Sequence, residues 1–238
     1  LKKGMMMALT IGLLLSSTTI KPIAYADGHS VLRSTKNSTV KFDKVSISTK
    51  GNVSNIVLRD EEVADQKHKA YHIHIDKEKK TYKATRIKPT EDLIPAKRSS
   101  KAVEGTGGYH AWVKAVTDDP PGLDLASTTL SLDWNDDKDT IQINDHQLTT
   151  WVANPSPLNT HWFKSDSTLQ QPIRYDDKVR VIGEAGYYNY DFLLPKKKTS
   201  VTHHIQIDAK KEGTYRYEVN WTAKGELHWL LDLDIYTN

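Results

Sequence analysis

Two histidines separated by one residue, His72 and His74, are the sharpest chemical feature of this chain. On a β-strand, residues two apart share a face, with their Cβ atoms roughly 7 Å apart. Two imidazoles at that spacing converge on one zinc ion when a neighbouring strand brings a third ligand. His110, His161, His203, His204 and His228 are the histidines that can supply it. The residues between them argue the other way. Tyr71, Ile73 and Ile75 make the apolar side of the strand, which leaves His72, His74 and Asp76 on the polar side. An alternating strand turns that side to water. No HExxH helix strengthens a metal centre, so the pair reads as solvent-facing and no metal ligand is assigned.

The acidic run Asp133-Trp134-Asn135-Asp136-Asp137-Lys138-Asp139 places oxygen ligands at alternate positions, as calcium loops do. Lys138 then stands where an EF-hand needs glycine, and Asn144 where it needs the bidentate glutamate. The run reads as an acidic turn, where Asp and Asn side chains bond to nearby backbone amides. Nucleophilic catalysis has little to work with. The chain has no cysteine, no GxSxG elbow, no P-loop and no Rossmann glycine pattern. A carboxylate pair suits glycoside cleavage, and Asp124, Asp133, Glu184 and Glu226 are conceivable members. Nothing in the sequence selects two of them, so no catalytic residue and no cofactor is assigned.

Aromatic residues carry the remaining signal. Trp112, Trp221 and Trp229 lie in strongly alternating segments and read as core, where large rings bury much area. Trp151 and Trp162 flank the proline-containing stretch 154–159 and are the expected exposed rings. They are assigned as the ligand-binding residues, stacking on a carbohydrate.

The elements that must position these residues are strands. Period-two alternation rich in Ile, Val, Thr, Tyr and Trp predicts them over Thr39–Ser48, Val53–Leu58, Tyr71–Asp76, Thr81–Ile87, Tyr109–Val116, Thr128–Trp134, Thr140–Ile143, Leu148–Ala153, Lys178–Glu184, Tyr187–Phe192, Val201–Asp208, Thr214–Trp221 and Leu227–Tyr236. No segment sustains helical periodicity. The expected fold is therefore all-β, an antiparallel β-sandwich or jelly roll. Residues 88–108 lose all pattern and hold Pro89, Pro95, Gly105, Gly107 and Gly108, a long connection and a potential sub-boundary within one domain over 27–238. Tyr71-His-Ile-His-Ile-Asp is echoed by His203-His-Ile-Gln-Ile-Asp, which is read as convergent hairpin chemistry rather than duplication.

Residues 1–26 read as a cleaved signal peptide. Lys2 and Lys3 precede the apolar run Met5 to Leu15, and Ala24-Tyr25-Ala26 supplies the small-x-small cleavage pattern. Of 33 basic and 30 acidic residues, this leader holds three basic ones and no acid, so the mature chain is neutral and offers no basic field for nucleic acid. The leader, the cysteine-free mature chain and the stretch Thr149 to Trp162 resemble small secreted β-proteins of Gram-positive bacilli, a group from which no activity can be transferred. The expectation is a secreted protein without a membrane anchor in its mature form. Its best functional reading is a non-enzymatic extracellular binding module for carbohydrate or cell-wall polymer. A polysaccharide hydrolase using a carboxylate pair is the alternative. A β-rich toxin subunit ranks last, because it needs a long amphipathic hairpin, and Val179 to Phe192 is too short for one and contains Gly183 and Gly186.

Overall fold

The computed structural model describes residues 35–39, 42–64, 66–76, 81–89, 108–119, 122–137, 140–154, 161–192 and 197–238. The leader and most of the 88–108 connection lie outside the described residues. Among those described, the chain forms fourteen strands: β1 (Thr35–Thr39), β2 (Lys44–Lys50), β3 (Val53–Val63), β4 (Lys69–Asp76), β5 (Thr81–Ile87), β6 (Gly108–Asp118), β7 (Asp124–Asp137), β8 (Thr140–Val152), β9 (Phe163–Leu169), β10 (Ile173–Arg174), β11 (Lys178–Asn189), β12 (Thr199–Lys210), β13 (Thr214–Lys224) and β14 (Asp232–Thr237). They make two antiparallel sheets. The first runs β1-β5-β4-β14-β6-β7-β8; the second runs β10-β11-β12-β13-β3-β2, with β9 also paired to β11. Strands from both sides of the 88–108 connection share each sheet: β3 pairs with β13, and β14 lies between β4 and β6.

The core follows from the alternation. Val181, Ala185 and Tyr187 of β11, Ile205 and Ile207 of β12, Tyr217, Val219 and Trp221 of β13, and Ile56 and Leu58 of β3 point inward from the second sheet. They meet Tyr71 and Ile73, Val113 and Ala115, Leu130, Leu132 and Trp134, and Leu233 and Ile235 from the first. Burial of this apolar surface is the dominant stabilising contribution. A smaller apolar cluster, Ala70, Ile87, Trp112, Val116 and Tyr236, sits on the opposite side of the first sheet.

Three elements differ from expectation. Thr140 to Val152 is one strand rather than two, with a register shift opposite Asp133 and Trp134 absorbing the break. β11 runs unbroken through both of its glycines. A Cβ on Gly183 would stand 2.5 Å from Leu148 Cδ1, so the leucine occupies the place of the missing side chain. A Cβ on Gly186 would stand 2.4 Å from Ser165 Oγ and Asp166 Oδ1, where β9 bulges against β11. Finally, the start of Leu227–Tyr236 is not extended. A 3₁₀ turn over His228–Leu230 precedes β14 and leaves Trp229 half exposed rather than in the core.

Candidate functional site

The outer face of the second sheet is a lattice of cross-strand polar pairs. Arg180 Nε donates to Asp208 Oδ1 at 2.7 Å, Arg59 pairs with Glu218, Arg216 with Glu61, and Asn55 Nδ2 donates to Asn220 Oδ1 at 2.7 Å. The two charged contacts to Asp208, from Arg180 and Lys178, hold its carboxyl below the usual range against the opposing effect of burial. Such a face belongs in water. At the β9–β11 edge the lattice gives way to rings. Phe163 stacks on Tyr188 with centroids 5.4 Å apart, and Tyr188 meets Tyr190 edge-on at 5.2 Å. Lys198 Nζ lies 4.9 Å from the Tyr188 ring centre and 5.7 Å from that of Tyr190. Phe163 is 46% exposed and Tyr190 53% exposed, so this is a continuous aromatic surface presented to solvent. The bulge of β9 opposite Gly186 and Tyr187 sets Phe163 opposite Tyr188.

The sequence places only part of this. Tyr188 and Tyr190 fall in the segment crowded with tyrosines, but Phe163 joins them through a pairing that local pattern does not announce. Of the two tryptophans assigned to stacking, Trp151 is 42% exposed, on the outer side of the first sheet opposite Ser127. Trp162 is wholly buried, packed edge-on against Phe192 at 5.7 Å, so its ring offers no face to a ligand. The two do not form one platform.

The His72 face is not the open polar surface expected. Asp234 of β14 stands opposite His72, and Asp118 of β6 stands opposite Asp232. His72 Nδ1 lies 2.6 Å from Asp234 Oδ1 and 3.8 Å from Asp118 Oδ2. Both carboxylates are fully buried, and His72 is partly so. His74 is turned away to Asp232, with Nδ1 2.9 Å from Oδ1, and remains largely exposed. None of the five histidines named as a potential third ligand joins the pair. His110 bonds Asp133 and His204 bonds Glu184. His228 bonds the Gly225 carbonyl, His161 is exposed, and His203 lies in the core.

Two interior polar groups complete the chemically notable positions. His203 Nε2 and Nδ1 lie 2.8 Å and 3.0 Å from the hydroxyls of Thr117 and Thr128. Its burial lowers its pKa to about 3, so it is neutral. At the other location, Asp60 and Glu62 of β3 stand opposite Tyr217 and Tyr215 of β13. Burial, assisted by the nearby Glu62 carboxylate, raises Asp60 to about 6. Glu62 is buried against Lys69, and its Oε1 makes no hydrogen bond. The acids named from sequence do not pair with one another: Asp133 is bonded to His110, Glu184 to His204 and Glu226 to Lys197, while Asp124 is opposite Asp118.

Comparison with family models, curated proteins and solved structures finds no match to this chain. Among the described residues no helix is long and apolar enough to cross a membrane.

Proposed function

We propose that this is a non-enzymatic secreted binding module for a carbohydrate or cell-wall polymer, and that Phe163, Tyr188 and Tyr190 form its binding face. The observation that carries the reading is the continuity of three rings, two of them about half exposed, on a sheet face otherwise rich in cross-strand ion pairs and polar contacts. Flat apolar rings in water suit the C–H faces of sugar units, and a linear polymer can lie across several rings at once. Lys198, seated over two of the rings, would meet an anionic group carried by the polymer. Trp151 remains a candidate second contact on the other sheet.

Co-sedimentation of the purified protein with insoluble polysaccharides and wall polymers tests the reading. Saturable pull-down by one polymer, lost in Tyr188→Ala and Tyr190→Ala and retained in Trp162→Phe, is the expected result. Pull-down by none, or binding indifferent to all three ring positions, overturns it. A polysaccharide hydrolase stays as a second reading because Asp60, two residues from Glu62 on β3, is protonated more readily than an ordinary aspartate, as a general acid must be. Product release from the same polymers, abolished by Asp60→Asn, would carry that reading instead.

A further inference from the structure

We propose that His72, Asp118 and Asp234 bind one divalent cation, of the borderline type that accepts nitrogen and carboxylate oxygen together, Zn²⁺ being the reference case. The three residues come from β4, β6 and β14, which are adjacent in the first sheet. Each offers one ligand atom, and these atoms lie within 4.8 Å of one another. Donors held about 2.0–2.2 Å from a tetrahedral zinc are separated by roughly 3–3.6 Å. The separations from His72 Nδ1, 2.6 Å to Asp234 Oδ1 and 3.8 Å to Asp118 Oδ2, bracket that range. An ion between the three donors would replace the hydrogen bond between His72 and Asp234.

The surroundings are those of a metal site as well as its donors. Ligating histidines usually have the other ring nitrogen directed at a carboxylate, which fixes the ring and raises its basicity. Here Nδ1 faces the proposed ion, and Nε2 lies 3.7 Å from Asp232 Oδ2, near enough for charge attraction but too far for a hydrogen bond. Asp232 is itself held by His74. The Tyr236 hydroxyl donates to Asp234 Oδ2 at 3.1 Å, which leaves Oδ1 as the atom turned to His72. A cation where the three donors meet would be held by two buried carboxylates and one imidazole. One imidazole and two carboxylates favour Zn²⁺ or Mn²⁺ over Ca²⁺, which takes six to eight oxygens. With both aspartates fully buried the site is enclosed, so its expected effect is to lock β4, β14 and β6 together.

The test is calorimetric titration of chelator-treated full-length protein with Zn²⁺, Mn²⁺ and Ca²⁺, with melting followed at each metal concentration. One equivalent of Zn²⁺ or Mn²⁺ should bind, and the melting temperature should rise with free metal. His72→Gln and Asp234→Asn should weaken binding by more than about 100-fold, and Asp232→Asn, which acts on the histidine's other nitrogen, by about tenfold. His74→Gln should leave one equivalent bound. Near-ultraviolet circular dichroism confirms that each variant is folded; should Asp234→Asn fail to fold, the partly buried His72 position carries the test. Absence of saturable binding overturns the proposal. So does Zn²⁺ binding that survives His72→Gln undiminished, which would assign the metal to other histidines, or selective binding of Ca²⁺.

Discussion

His203 has hydrogen-bond partners that fix its protonation state. Trp221 Nε1 donates to Thr117 Oγ1 at 2.9 Å, so the Thr117 hydroxyl is free to donate to His203 Nε2. Tyr187 donates its hydroxyl to the Ser127 carbonyl at 2.7 Å and therefore accepts from Thr128, whose oxygen in turn accepts from His203 Nδ1. Every donor has one acceptor, and the ring must be the neutral tautomer protonated on Nδ1. The folded group titrates near 3 because it is buried, whereas an unfolded histidine titrates near 6.5. Below the higher value the unfolded chain takes up a proton that the folded chain refuses. Stability from this residue is therefore complete above about 6.5 and declines as pH falls toward 3, by up to about 1.4 kcal/mol per pH unit. Asp60 works in the opposite sense. Its folded value is raised, so the folded chain binds the extra proton between about 6 and 3.8 and gains stability on acidification. Urea unfolding at a series of pH values separates the two: His203→Gln should flatten the acid decline, and Asp60→Asn should raise stability at neutral pH and steepen the decline. A histidine in this position looks from sequence like any other in an alternating strand. Its alternation with Val201, Ile205 and Ile207 indicates that it is buried, but the four residues of its hydrogen-bond network, Thr117, Thr128, Tyr187 and Trp221, come from four other strands. The tryptophans make the same point in stability. Trp162→Ala should cost about 3–5 kcal/mol, and Trp151→Ala should stay within about 0.5 kcal/mol, measured by the same unfolding curves.

At the scale of the element, β11 shows where sequence reading succeeds and where it stops. Val179, Val181, Ala185 and Tyr187 alternate with Lys178, Arg180, Ile182 and Glu184, and that period identifies the strand and its inner face. Two glycines within four residues read as an interruption because glycine weakens a strand locally. Their tolerance depends on residues remote in sequence: Leu148 fills the space inside Gly183, and the bulge of β9 packs over Gly186. Gly183→Ala should therefore destabilise by about 1–3 kcal/mol through overpacking, even though alanine favours neither turn nor break, and a shifted urea midpoint would show it. The candidate metal ligands were hidden in the same way. Asp232-Leu233-Asp234 has the same alternate spacing as His72-Ile73-His74, so each is legible as half of a polar face. That the two halves oppose each other, with Asp118 beside them, is a fact of pairing across about two-thirds of the chain.

At the scale of the whole molecule, β14 has a position that local pattern cannot reveal. Among the described residues it is the only strand joining β1-β5-β4 to β6-β7-β8 in the first sheet, and all six of its residues are buried. Its inward residues Leu233 and Ile235 enter the main core, while Tyr236 enters the smaller cluster on the other side. Beyond it, the Asn238 side chain accepts from the Trp112 backbone N–H at 2.9 Å, and the Asn238 carbonyl accepts from the Tyr215 hydroxyl at 2.8 Å. One short strand thus ties together both halves of one sheet and reaches the other. Central strands tolerate no proline, because each loses a ladder hydrogen bond with no water to replace it. Ile235→Pro should abolish the cooperative unfolding transition, whereas Ile173→Asp, on the two-residue edge strand β10 where the side chain is exposed, should leave it within about 0.5 kcal/mol. Native-state hydrogen exchange provides the complementary measurement. Amides of β14 and of its neighbours β4 and β6 should exchange only through global unfolding, and those of β10 through cheaper local opening. If β14 exchanged at the rate of an edge strand, the first sheet would be two loosely joined halves, and β14 would not couple β4 to β6.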